Sequence, residues 1–243
     1  MRALLSLAVW FALWEVAGRM QWSSIVPPFS AVIEAAFTVV PTEKFRTAAL
    51  ISLRSFGIGM ALAIAVGVPL GILMARARTV GRILGMWVNI FVSAPISALV
   101  PLLMAVVGIG ETTVVVTVFL FAVFVITLDT QVGIDHADRS LVEMARSFGA
   151  RPVQLYGKVL LLSALPEILA GLRLGSIRGV KGVVIGQLLV AIIGVGELFE
   201  LYSNHFLMEE FWALVIIVFL FAFAVSEAIA LLERRVEYYA SNR

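Results

Sequence analysis

Lys181, Arg178 and Arg173 sit in a largely apolar run from about Glu167 to Ile193, joined there by the amide of Gln187. A cation in such surroundings can receive an anion, or it can be held by an acid on another segment, and Asp129 and Glu227 are the acids in comparable runs. A second polar group, Asn89 and Ser93, lies in another apolar run beside Pro95 and Pro101. Prolines free backbone carbonyls, which at membrane depth survive only against protein or water. This segment reads equally as a pathway wall or a plain kink. Bond-making chemistry has no comparable foothold. There is no cysteine, so no disulfide or thiolate site forms, and His136 and His205 lie far apart. No HExxH, intramembrane His pair or Ser/His/Asp arrangement occurs, so no catalytic or metal residue is expected. The residues from Gly175 through Lys181 to Gly182 fail the GxxxxGK[ST] spacing, so the sequence offers no glycine-rich phosphate loop there.

The elements that position these residues follow from hydropathy. The chain is 61% hydrophobic and 14% charged, against about 25% charge in soluble domains. A spanning helix needs roughly 20 mostly apolar residues. Ser55 to Ala75, Ile83 to Gly110, Thr112 to Leu128 and Phe211 to Ser226 supply uncharged runs. Gly182 to Gly196 becomes long enough once Arg173, Arg178 and Lys181 are included, and Ala3 to Trp14 reads as a retained first helix with Glu15 near its outer end. The expectation is an all-α bundle of about six spans forming one domain over 1–243. Pro27 to Val40 reads as a short interfacial helix capped by Ser30. With a cytoplasmic N-terminus, the inside collects Arg2, Arg76, Arg78, Arg82, Arg139, Arg146, Arg151, Lys158, Arg234, Arg235 and Arg243, while the outside holds Arg19, Lys44 and Arg46. Both termini are therefore expected in the cytoplasm.

Two stretches call for closer reading. The connection from Asp135 to Pro166 is too charged to span, yet Leu141, Met144, Ala145 and Phe148 recur at helical spacing before Gly149 interrupts. A second helical stretch starts at Pro152, which makes a compact knob, either a plain inner loop or a docking element. In the run after Glu167, Gly171, Gly175, Gly179, Gly182 and Gly186 fall within an arc of about 80°. Such a small-residue seam lets backbones meet, within one subunit or across a dimer axis. Lys181 lies about 12 Å above Arg173, so it is expected to face water, an acid or a substrate. Arg173 is placed to snorkel.

Glu143-Met144-Ala145-Arg146-Ser147-Phe148-Gly149 with the later Leu165-Pro166 resembles the EAA signature of binding-protein-dependent importer permeases. Agreement extends through Val26-Pro27-Pro28 with Ser30, Gly67 to Gly71, Pro95 to Pro101-Leu102, Gly108 to Glu111 and Gly171 to Leu174. In order and spacing these resemble the subfamily that imports nitrate, sulfonates, taurine and related solutes. A relative carrying another small organic solute, such as a pyrimidine-type vitamin precursor, is the alternative; a membrane-embedded enzyme is the alternative class. Met144 replaces the usual second alanine, Leu162 an earlier proline, and Gln187 stands where sulfonate-type relatives often carry Glu.

The resemblance implies a type I ABC importer permease fold in the bacterial inner membrane, with ATP and magnesium on partner ATPase subunits. It also implies a periplasmic or lipid-anchored solute-binding protein and a second permease copy, paired through the glycine-rich centre. Lipid surrounds such a protein and no nucleic acid partner is expected. Residues 135–166 would enter a groove of the ATPase, with Glu143 at the surface, Ala145 permitting close approach, Gly149 the turn, and Phe148 and Leu141 as anchors. Lys181, Arg178, Asn89 and Ser93 are the candidate substrate path.

Overall fold

The computed structural model describes residues 2–190 and 192–241. Its helices are α1 Arg2–Arg19, α2 Phe29–Val39, α3 Glu43–Arg76, α4 Arg78–Ser93, α5 Val100–Val107, α6 Glu111–Asp135, α7 Arg139–Ser147, α8 Pro152–Ser163, α9 Leu165–Val190, α10 Gly194–Asn204 and α11 Met208–Ser241. No strand occurs among the described residues. By length and apolarity, α3, α6 and α11 each suffice to cross a membrane. α4 with Ile96–Val107, bent by 91°, and α8 with α9, bent by 62°, qualify as broken pairs, making up to five spans. α1 is the sixth expected span, but Arg2, Glu15 and Arg19 keep its 18 residues outside that apolar group.

The uncharged stretch from Ile83 to Gly110 is therefore not one straight span. α4 ends at Ser93, Pro95 leads into a 3₁₀ turn at Ile96–Leu99, and Pro101 falls in the first turn of α5. There its missing N–H costs no hydrogen bond. Hydropathy measures length and is blind to direction.

α6 is the axis of the bundle, packed between α3 and α9. Both neighbours meet it with glycine. On α3, a Cβ at Gly59 would fall 2.6 Å from Val118 Cβ, at Gly67 3.0 Å from the Val123 carbonyl, and at Gly71 2.5 Å from the Thr127 carbonyl. On α9, Gly171 faces Asp129, Gly175 faces Ile126, and Gly182 faces Val118. These pairings run parallel between α3 and α6 and antiparallel between α9 and α6. Contact this close needs residues without side chains. Of the buried α6 threonines, Thr117 Oγ1 donates to the Thr113 carbonyl at 2.7 Å and Thr127 Oγ1 to that of Val123 at 2.8 Å, Thr113 Oγ1 donates to the Gly108 carbonyl before the helix, and Thr130 Oγ1 has no partner among the described residues.

At the opposite end from α7, α2, α10 and the start of α11 close over Val39, Leu198, Phe199 and Leu214. Trp14 and Trp212 meet edge to face at 5.2 Å, and their ring N–H groups donate to the carbonyls of Pro27 and Ile25. Pro28, not Ser30, holds the N-cap position of α2, and no side chain caps it. Ser30 instead donates through N and Oγ to the carboxylate of Glu15, each at 2.9 Å, which pins α1 to α2.

Candidate coupling surface and translocation face

The knob is built by ordinary helix-end chemistry. The side chain of Asp138 accepts from Ser140 N at 2.8 Å and starts α7. At the other end Gly149 adopts φ +77°, with Gly149 N donating to the Arg146 carbonyl and Ala150 N to that of Ala145. This paired closure is the Schellman stop, which a residue with a Cβ resists. The chain restarts at Pro152, where Gln154 Oε1 accepts from Arg151 N at 2.9 Å. Leu155–Leu160 winds as a π-helix inside α8, and the guanidinium of Arg76 lies 5.4 Å from the Tyr156 ring, tying the knob to the end of α3.

α7 divides its apolar residues between two faces. Val142 and Ala145 pack toward Ile134, Leu155 and Leu160, so the small Ala145 brings α7 close to its own chain. Leu141, Met144 and Phe148 point outward, Phe148 86% exposed, and Val153 is exposed 84% on the next helix. Glu143 is exposed beside them. Leu165 and Pro166 lie half-buried in the first turn of α9, directly after the 62° bend. Together they form an exposed apolar set beside a solvated acid.

On α9 the glycine seam of Gly171, Gly175, Gly179, Gly182 and Gly186 is filled by α6, with Met60 and Phe56 of α3 at Gly179. No room is left there for a second copy, which corrects the expectation of a dimer through the glycine centre. The three cations of the helix have different fates. Arg173 reaches α11, its Nε donating to Ser226 Oγ at 3.2 Å and its Nη1 lying 3.6 Å from Glu233. It does not merely snorkel. Arg178 is half-buried and has no carboxylate within 4 Å among the described residues. Lys181 is exposed and has no carboxylate within 4 Å among the described residues, neither Asp129 nor Glu227. It stands in an open line with Leu174 and Leu188, spaced by seven residues.

Asn89 and Ser93 lie on the exposed side of α4, where Asn89 Nδ2 donates to the Gly85 carbonyl of its own helix at 2.7 Å. Within one subunit the α4 and α9 faces both stay open. Gln187 takes no part in either. It is fully buried, and its Oε1 accepts from Ser52 Oγ at 2.8 Å and Val195 N at 3.0 Å, which holds the turn into α10 against α3. Also absent from the sequence reading are the pairing of Arg54 with Glu111 at 3.5 Å and the seam on α3. The second had a signal, because Gly59, Ala63, Gly67 and Gly71 recur every four residues.

Long apolar helices around a glycine-packed centre, an open cationic face and an exposed knob define an integral membrane subunit made to work with partners. The chain belongs to the binding-protein-dependent transport system inner membrane component family, which matches residues 67–238. It is 28% identical to the taurine transport system permease protein TauC of Escherichia coli K12, over 95% of this chain and 86% of that one. It is 31% identical to SsuC of the same organism, whose name ties it to aliphatic sulfonates transport, over 89% and 85% of the two chains. In fold it is similar to the inward-facing MetNI methionine ABC transporter, with a TM-score of 0.68 at 22% identity over 79% of this chain and 95% of that one. A crystal structure of an amino acid ABC transporter with histidines also gives 0.68, at 16% identity over 82% and 97%. The protein is thus a multi-pass permease of an ATP-binding-cassette importer with the type I fold, a transport component whose family implies ATPase and binding-protein partners.

Proposed function

We propose that this permease forms the path for a small anionic solute of the sulfonate, taurine or nitrate kind, delivered from outside by a solute-binding protein. ATP and magnesium are bound by ATPase subunits that seat the 135–166 knob, and the permease itself binds no nucleotide. The names of TauC and SsuC support the solute class. Both termini lie in the cytoplasm in this reading, on the evidence of the basic loops. A second permease copy packs on the open face of α9, because the glycine seam is already filled.

The observation that carries the anion is Lys181. Gly182 pairs in register with Val118, which is seven residues from the outer end of α6, so Lys181 lies about 10 Å inside the bundle. A cation at that depth, exposed and with no carboxylate within 4 Å among the described residues, needs water or a passing anion. Arg173, by contrast, is already held by Ser226 and Glu233. The test is Lys181→Gln in vesicles containing the whole transporter. Taurine uptake is expected to fall roughly tenfold, the effect of losing about 1.4 kcal/mol of anion stabilisation, while ATPase assembly stays intact; Lys181→Glu is expected to be worse. Unchanged uptake would end the anion reading. Lost assembly, reproduced by Asp129→Asn or Glu227→Gln, would make Lys181 half of a structural ion pair.

A further inference from the structure

Away from the knob and the Lys181 face, a lateral groove of about 960 Å³ opens between α2, α3, α9 and α11. Phe45, Leu53, Phe56, Val184, Ile217 and Phe221 form much of its wall. Its volume is that of a built ligand site, roughly 300–1,000 Å³. Two polar residues line it. Ser52 is already engaged by Ala48, Gln187 and Val195, whereas Arg46 stands at one end, 66% exposed, with only a loose 3.9 Å approach to an 87% exposed Glu43. Such an exposed pair is easily exchanged for another anion.

Dimensions select the occupant. From Phe45 to Phe56 the groove follows α3 for about 16 Å at 1.5 Å per residue. One leaflet of a hydrocarbon core of roughly 30 Å has the same depth, about 15 Å. Arg46 shares the groove with Ala36, Phe37 and Val40 of α2, and α2 packs on Trp14 and Trp212, side chains suited to a membrane interface. Apolar along its length and carrying a cation at one end, the groove has the layout of an acyl chain below a phosphate.

We infer that this groove is a phospholipid site, with acyl chain along Phe56, Val184 and Phe221 and the phosphate on Arg46, drawn from the leaflet on the Trp212 side. The inference does not depend on the transported solute, and its test involves no uptake. The full chain is placed in vesicles of phosphatidylethanolamine and phosphatidylglycerol containing phosphatidylglycerol with a photoactivatable acyl chain, and the labelled peptides are mapped by mass spectrometry. Label is expected to concentrate on residues 45–56, 180–184 and 214–221. Val184→Trp, which fills the groove, is expected to cut that labelling roughly tenfold, equivalent to about 1.4 kcal/mol, and to leave labelling of α1 unchanged. Leu50→Trp, at a wall residue 68% exposed, provides a second filler that the core can tolerate. Arg46→Gln is expected to reduce the preference for phosphatidylglycerol over phosphatidylethanolamine about fivefold, the share of one cation near a membrane surface. Even labelling of all lipid-facing helices, or labelling indifferent to both tryptophans, would overturn the site. So would a disulfide-linked dimer formed by Leu53→Cys, since the chain has no cysteine of its own and the link would put a second copy in the groove.

Discussion

Replacing Gly149 separates the shape of the knob from its composition. The residue holds φ +77°, and a Cβ built on it meets nothing within 4 Å. A substitution there creates no clash, so its whole effect is the conformational cost of the left-handed region. For alanine that cost is about 1–2 kcal/mol. Asparagine tolerates the region better and a β-branched valine worse. The chain either stores this strain or leaves the turn, and leaving it displaces Phe148, the most exposed apolar residue of the knob, relative to Val153 across the turn. Where the chain leaves the turn, the docking-ready population falls by a factor of up to roughly 5–30 for alanine; where it keeps the turn, the cost appears as lost stability. The assay is the affinity of the purified ATPase subunit for the permease in nanodiscs, read beside uptake by the complete transporter. Affinity is expected to fall in the order Gly, Asn, Ala, Val, with membrane insertion unchanged. If alanine and valine bind the ATPase as glycine does, the Gly149 turn has no part in coupling. If asparagine is as poor as valine, side-chain size and not φ is responsible.

Two further outcomes follow from packing. Gly71→Ala forces a Cβ to within 2.5 Å of the Thr127 carbonyl and is expected to cost about 1–3 kcal/mol, lowering the thermal midpoint in detergent by roughly 2–4 °C per kcal/mol; Gly57→Ala on the same helix meets nothing within 4 Å, and equal midpoints would refute the close-packed seam. Gln187→Leu removes the acceptor that Ser52 Oγ and Val195 N share, while Ser52 Oγ keeps the Ala48 carbonyl and Val195 N keeps Ser52 Oγ; the expected cost is that of lost hydrogen bonds, about 1 kcal/mol, and an unchanged midpoint would remove Gln187 from the scaffold.

What the sequence reveals of this fold depends on the range of the interaction. Ser55 to Ala75, Thr112 to Leu128 and Phe211 to Ser226 lie inside α3, α6 and α11 because apolar length is a property of one segment alone. The stop at Gly149 and the restart at Pro152 are equally local. The 91° break at Ala94–Pro95 is half legible: proline marks the place, but nothing in the run of apolar residues records the new direction. Ser30 misleads because a serine near a helix start is a good cap, and the carboxylate of Glu15, fifteen residues earlier, competes for it. Pairings such as Ser52 with Gln187, separated by 135 residues, are not legible at all. They depend on α6 standing between two glycine faces, and no single segment encodes that.

This arrangement also argues where the subunit is stiff and where it bends. A rotation of α6 against α3 would drive Thr130, already 2.6 Å from the Cβ position of Gly71, into the helix backbone; against α9, Asp129 meets the same obstacle at Gly171. Cores packed to this density transmit displacement and do not absorb it. The three helices therefore behave as one body. The elements attached to it are of another kind: α4 reaches α5 through a 3₁₀ turn and a 91° bend, and α8 reaches α9 through a π-helix and a 62° bend. Irregular helix of this sort marks hinges. Under the coupling proposed above, a push on Phe148 and Val153 would enter at the far end of α8, pass the π-helix and the 62° bend, and reach the rigid helix that carries Lys181. The knob and the cation would then be the two ends of one jointed lever, which is the mechanical requirement for moving a membrane face from outside the membrane.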